Sequence, residues 1–356
     1  MEIGLIDADL LGNGTRFPNL ALMKISNYYK KRGGNTRLIN YDEIEKADKV
    51  YISKVFDYTK LPIEPNNHTK IKTGGTGFNY DKQDFLPDKI EYTEPDYKLY
   101  RRHSEVSKYY KNHSIGFTTR FCFRHCPFCV NRDKDKAVRW KRVAEIDNKN
   151  NEYITLLDDN VLAHPDRIKI LKNLKENGKP FEFKQGIDFR LINDEIAYLF
   201  NSSRYNGEFI FAFDNIKDKQ KIKESLEVWR KYNTNKLRFY VLVAYDYDEN
   251  YGDGFWLNNI VNTFKRIRFL MRNKSLPYIM RYKEYEKSKF RGMYINIAGW
   301  CNQPHLFTRM SFREYSMKKN PGGASQRYME NFEKEHPAIA DEFFDMKWQH
   351  FKNEHP

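Results

Sequence analysis

The sequence predicts an α/β protein: an N-terminal Rossmann-like parallel sheet, a partial (β/α)6 TIM-like barrel behind it, and a short helical C-terminal cap. Two observations carry this prediction. Strand-length apolar runs alternate with amphipathic helical stretches through most of the 356 residues. That length suits two domains and a tail, and a composition of 40% hydrophobic and 31% charged residues suits a packed core.

The first element is the strand Glu2 to Asp7. Residues 19–29 then repeat apolar side chains at helical spacing, and Gly33-Gly34 ends that helix. Two more strands, 36–39 and 49–53, complete a parallel strand-helix-strand unit with the right-handed crossover such units adopt. The cluster Gly74-Gly75-Thr76-Gly77 lacks the G-x-G-x-x-G spacing and the strand-to-helix setting of a nucleotide loop, so it reads as a backbone turn. A polar connection through Leu86-Pro87 and residues 94–103 follows.

From Ser114 the rhythm lengthens. Strands are expected at 115–118, 153–157, 181–184, 209–213, 237–244 and 277–281, with helices at 166–176, 194–200, 217–232 and 257–271. In such barrels the chemistry sits on the loops after the strands. The tail carries the loop Asn320-Pro321-Gly322-Gly323 and a helical stretch over 326–351 that Pro337 breaks or restarts. The expected domains are 1–105 (Rossmann-like, cobalamin-binding-like but degenerate), 106–305 (barrel) and 306–356 (helical extension).

A net charge of +14 and a pI near 9.3 point to a polyanion such as RNA or DNA as partner or substrate. The same abundance of Lys, Asn, Tyr and Ile is also what an AT-rich genome imposes. The segment 265–274, followed by Tyr278, Arg281, Tyr282 and Tyr285, mixes cations with stacking surfaces as nucleic-acid binders do. The competing reading, a barrel helix with a solvated cationic face, is the preferred one. No run of about eighteen apolar residues is present, and the start reads as a strand and not as a leader. A cytoplasmic protein with no membrane partner is expected.

The chemistry concentrates in Cys122-Phe123-Arg124-His125-Cys126-Pro127-Phe128-Cys129, a C-x3-C-x2-C run on the loop after the first barrel strand. Clustered thiols in a reducing compartment indicate metal binding or catalysis before disulfides. A four-iron cubane takes four thiolates, so three leave one iron open. This run, with an aromatic before its last cysteine, resembles the signature of the radical S-adenosylmethionine superfamily. The order of parts is similar to its members with an N-terminal cobalamin-binding domain.

The resemblance implies a [4Fe-4S] cluster on Cys122, Cys126 and Cys129, with S-adenosylmethionine chelating the open iron and Phe128 near its adenine. It also implies a 5'-deoxyadenosyl radical acting on an undetermined substrate, a nucleic acid being the best single guess, and an electron donor such as a flavodoxin or ferredoxin. Where many members carry Gly-Gly-Glu this chain has Asp158-Asp159-Asn160, and Asp159 is the candidate for the cofactor's ammonium. Arg190 is a candidate for a carboxylate or phosphate, and Asp214 for ribose hydroxyls, with half of an ordinary ion pair as the alternative for each. Cys301, the fourth cysteine, is a candidate hydrogen-atom donor, with a buried apolar role as the commoner alternative.

The early loop Asp7 to Gly12 has no histidine to ligate cobalt, so bound cobalamin is not expected. The leading domain has no cysteines, which disfavours sulfur insertion of the methylthiotransferase kind. Zinc on Cys122, His125, Cys126 and Cys129 is the competing metal reading. The competing function is a non-catalytic nucleic-acid-binding protein with a structural metal site.

Overall fold

The structure, a computed structural model, describes residues 1–80 and 85–354. Its strands are β1 Glu2–Asp7, β2 Asn35–Leu38, β3 Lys49–Ser53, β4 Ile71–Gly74, β5 His113–Gly116, β6 Thr119–Arg120, β7 Val138–Arg139, β8 Tyr153–Leu156, β9 Phe181–Phe183, β10 Ile210–Ala212, β11 Leu237–Val243 and β12 Ser275–Arg281. The chain divides into two compact units. One comprises Met1–Thr118, Cys129–Asp133 and Trp140–Leu157; the other Thr119–Phe128, Lys134–Arg139 and Asp158–Pro356.

The first unit holds a four-stranded parallel sheet in the order β2-β1-β3-β4. Strand β1 is central, and from Ile3 to Asp7 every residue is buried. Its side chains alternate between two cores as the pleat requires. Ile3 and Leu5 pack with Leu22, Ile25, Tyr28 and Ile90, while Ile6 packs with Ile39, Ile44, Val50 and Ile52. Each such aliphatic contributes about 1.5–3 kcal/mol by leaving water. The helix Leu20–Lys30 covers the first face; Asn19 caps it by accepting from the Leu22 amide and also donates to the Ser53 hydroxyl. Gly33 has the left-handed backbone, φ 75°, expected after that helix.

Strand β4 has no apolar run, and the sequence reading does not contain it. It pairs with β3 through the backbone, and only Ile71 of its side chains packs on the core. The glycine turn is present: Gly75 has φ 101°, and a Cβ there would strike the Lys54 carbonyl. Parallel strands β5 and β8 also belong to this unit.

In the second unit β10, β11 and β12 are parallel and follow one another in chain order, with the helices Lys219–Arg230 and Asp253–Arg272 between them. Strand β11 alternates buried and half-buried residues along its whole length. All six barrel strands and all four intervening helices read from the sequence are present within a few residues. The α/β class with parallel sheets stands; closure into a barrel is not part of what these pairings show. Pro337 opens the helix Pro337–Phe343 at the position where its missing N–H is harmless, so the stretch expected to be helical is divided there, with Ala324–Glu335 before it.

One buried carboxyl in the first sheet has a pH consequence. Asp7, 3% exposed, accepts from the Leu10 amide at 3.1 Å and the Tyr100 hydroxyl at 2.7 Å. Burial pushes its pKa up to about 6 against these hydrogen bonds. A raised folded-state pKa favours the protonated form. The group's contribution is therefore complete below about pH 3.8 and is lost as pH climbs to about 6. The span is worth on the order of 3 kcal/mol. Chemical denaturation from pH 4 to 7 is expected to show Asp7→Asn with a flatter stability profile than wild type; parallel profiles would contradict this.

Candidate metal and cofactor site

The cysteine run lies on the loop between β6 and β7, a two-residue antiparallel ladder pairing Thr119 with Arg139 and Arg120 with Val138. Two non-glycine residues of the loop have left-handed backbones, Phe121 at φ 70° and His125 at φ 49°. Such conformations persist only where the surroundings hold them. At Phe121 the holders are Asp158, Asp159 and Asn160, one residue beyond β8.

Asp158, 2% exposed, accepts from the Thr119 amide at 2.7 Å and hydroxyl at 2.8 Å. Asp159 accepts from the Phe121 amide at 2.7 Å. Asn160 donates through Nδ2 to the Cys122 Sγ at 3.4 Å. Consecutive residues on one segment thus grip positions 119, 121 and 122 of the other. Asp159, read from the sequence as a ligand for an ammonium group, has one carboxylate oxygen committed to the loop backbone. Its other oxygen accepts no hydrogen bond among the described residues.

A second grip comes from the loop after β9. Asp188, 7% exposed, accepts from Arg124 Nε at 2.6 Å and from Arg190 Nε at 2.7 Å, and Arg190 also reaches Asp218 at 2.8 Å. Arg124 stands between Cys122 and Cys126, so this network ties the cysteine loop to the segment beyond β9. Burial lowers the Arg190 pKa, but the hydrogen bond and charge of Asp188, then those of Asp218, outweigh it and raise the net value. Arg190 is thereby an ion-pair partner of two aspartates. Of the two sequence readings, an anion-binding residue of the cofactor site or half of an ion pair, the contacts present are those of the second.

Asp214 follows β10 and accepts from the Leu242 amide at 3.1 Å. Burial raises its pKa, with that hydrogen bond and the Arg266 charge opposing. Phe128 makes edge contacts with Tyr245 at 5.3 Å and Tyr247 at 6.4 Å. Tyr245 in turn meets Tyr282 at 4.8 Å, so Phe128 joins an aromatic group at the carboxyl ends of β11 and β12. Cys301, 1% exposed at the end of the helix Arg291–Cys301, packs as a small apolar side chain, and burial pushes its thiol pKa up.

The donor set has the chemistry of an iron–sulfur site. Cys122, Cys126 and Cys129 are partly exposed and outside any disulfide. The sulfurs of Cys122 and Cys129 accept N–H hydrogen bonds, the second from the Asn131 amide at 3.4 Å. Asn160 Oδ1 is buried and has no hydrogen-bond partner. The side chains are not gathered, however: among the described residues no group of three or more His, Cys, Asp or Glu side chains could hold a metal ion. The zinc reading has no more support, because the exposed His125 imidazole has its Nε2 3.7 Å from Asp135.

The basic segment 265–274 is largely structural. Arg266 is 2% exposed and donates to the carbonyls of Phe213, Asp214 and Leu242. Arg268 pairs with Glu342 at 2.9 Å and Arg272 with Glu354 at 3.2 Å. Tyr278 is 38% exposed, and Arg281 lies 4.6 Å over the Tyr285 ring.

In the first unit a pocket of about 170 Å³ opens at the carboxyl ends of β1 and β2, lined by Asp7, Leu38, Asn40, Glu43, His103 and neighbouring leucines. The sequence argument against cobalamin rested on the lack of a histidine in the loop after β1. His103 brings an imidazole to the same end of the sheet from elsewhere in the chain, so that argument does not hold.

No family model matches the chain, and no curated protein matches it. A solved structure to which it is similar is the cobalamin-dependent S-adenosylmethionine radical enzyme OxsB with aqua-cobalamin and S-adenosylmethionine bound. The TM-score is 0.38 and the identity 12%, over 96% of this chain and 56% of that one. This chain therefore spans little more than half the length of that enzyme. A likeness of this degree assigns neither a family nor a site. No helix among the described residues is long and apolar enough to cross a membrane.

Proposed function

We propose that this chain is a radical S-adenosylmethionine enzyme whose [4Fe-4S] cluster is held by Cys122, Cys126 and Cys129. The observation that carries the reading is the C-x3-C-x2-C run with Phe128 before its last cysteine, on a loop that Asp158, Asp159 and Asn160 fasten at its start. The chemistry such a cluster supplies is one-electron reductive cleavage of S-adenosylmethionine to a 5'-deoxyadenosyl radical.

The three thiolates would hold the cluster through its irons. The ion pair of Arg124 with Asp188 limits where the cysteine loop can go. Phe128, backed by Tyr245 and Tyr247, offers an aromatic face next to the third cysteine. The free oxygen of Asp159 and the orphaned Oδ1 of Asn160 are two acceptors at the start of the loop, suited to an ammonium group. Cobalamin, zinc and Cys301 have no part in the proposal.

The test is anaerobic incubation of the reconstituted protein with S-adenosylmethionine and dithionite. The expected product is 5'-deoxyadenosine, above the level given by protein without iron. Cluster-loaded protein that leaves S-adenosylmethionine intact would contradict the reading.

A further inference from the structure

Asn160 is buried, 5% exposed, and its carboxamide is satisfied on one side only. Nδ2 donates to Cys122 Sγ at 3.4 Å, whereas Oδ1 has no hydrogen-bond partner. A buried acceptor left unpaired costs about 1–3 kcal/mol. A side chain placed only to fill space would be apolar here and avoid that cost. A thiolate can only accept a hydrogen bond, so the chemistry of the sulfur fixes which end of the carboxamide faces it.

The placement is built into the backbone. Asp158 and Asp159 bond Thr119 and Phe121, and this sets Asn160 opposite Cys122. No other group hydrogen-bonds the Cys122 sulfur among the described residues. Hydrogen bonds to cluster sulfurs are among the terms that set a cluster's reduction potential, because they withdraw charge from the sulfur and stabilise the reduced state.

We propose that Asn160 is a positioning residue that orients the Cys122 sulfur and raises the reduction potential of the cluster it helps to hold. This rests on the reading of the three cysteines as cluster ligands given above. The device makes a cluster with only three protein thiolates easier to reduce from the side of Cys122.

Redox titration of reconstituted wild type, Asn160→Ala and Asn160→Asp, followed by the electron spin resonance signal of the reduced cluster, tests it. Both variants are expected to titrate at more negative potential. Asn160→Asp should lie further, since it replaces the donor by a negative charge. At a fixed potential the reduced-to-oxidised ratio of Asn160→Asp should fall about tenfold, a shift of about 59 mV for one electron. A second measurement needs no variant: wild type labelled with nitrogen-15 in asparagine side chains alone should show hyperfine coupling between that nitrogen and the reduced cluster.

Unchanged potentials in both variants, or no nitrogen-15 coupling, overturn the role of Asn160 and leave the cluster reading standing. Wild type that takes up no iron and sulfide overturns both. If the variants fail to fold, the labelled wild type decides alone.

Discussion

Cys126→Ala is expected to fold like the wild type and to bind almost no iron. Cys126 is partly exposed on a loop, so its thiol contributes little to packing, and substitutions of this kind stay within about 0.5 kcal/mol. A cluster with three protein thiolates loses a third of its protein ligands when one is removed, and it has no spare cysteine nearby. The fourth cysteine, Cys301, is 1% exposed in the core, which makes Cys301→Ala the informative control. That variant should keep its iron and lose some stability to a small cavity. Iron and sulfide per chain after anaerobic reconstitution, beside denaturation of the metal-free proteins, separates the two effects. Equal iron in Cys126→Ala and wild type would remove Cys126 from the ligand set.

The largest effect on stability is expected from Arg266→Met. The guanidinium donates to the Phe213 carbonyl at 3.1 Å, the Asp214 carbonyl at 2.8 Å and the Leu242 carbonyl at 2.9 Å. These carbonyls lie at the ends of β10 and β11, where the ladder no longer serves them. Burial lowers the guanidinium pKa to about 10, against the charge of Asp214, so the side chain stays protonated near neutral pH. Methionine fills the space of the stem and offers no donor. Leaving these acceptors unpaired in the interior costs about 3–5 kcal/mol. Lys265→Met, one residue earlier and exposed, should change stability by no more than about 0.5 kcal/mol. Urea denaturation of both variants checks the pair. Equal midpoints would mean that the guanidinium is not part of the core.

The same residue shows what could be read in advance. Thr263, Ile267, Leu270 and Met271 are buried along one side of the helix Asp253–Arg272, and Arg266 falls on that side, three residues after Thr263 and four before Leu270. The sequence reading put Arg266 on a solvated cationic face; its position in the apolar period of the helix puts it on the buried side instead. The strands were legible because β1, buried on both faces, appears as a nearly continuous apolar run, and β11 as a long run rich in β-formers with every second residue buried. Strand β4, Ile-Lys-Thr-Gly, has no such run and joins the sheet by backbone pairing with Ile71 as its one core contact.

At the candidate site the cysteine spacing was local and therefore visible, and so was the short segment 158–160. The partners of that segment were not. Asp159 and Arg190 were chosen as ligands because charged residues at strand ends are suited to that task. The fold commits Asp159 in part to the Phe121 amide and Arg190 to Asp188 and Asp218. The Arg190–Asp188 pair is local, but the bonds of Asp159 to Phe121, Arg190 to Asp218 and Arg124 to Asp188 join residues 28 to 64 positions apart, which spacing does not encode. Asn160, with its two-faced carboxamide beside Cys122, carried no sequence signal beyond following two aspartates.

The central claim is that three thiolates of one loop hold an iron–sulfur cluster, and metal and sulfide analysis of the anaerobically reconstituted wild type tests it most directly. The account predicts about four irons and four sulfides per chain, a brown absorbance, and a spin resonance signal on reduction. A colourless protein carrying zinc and no sulfide would contradict it.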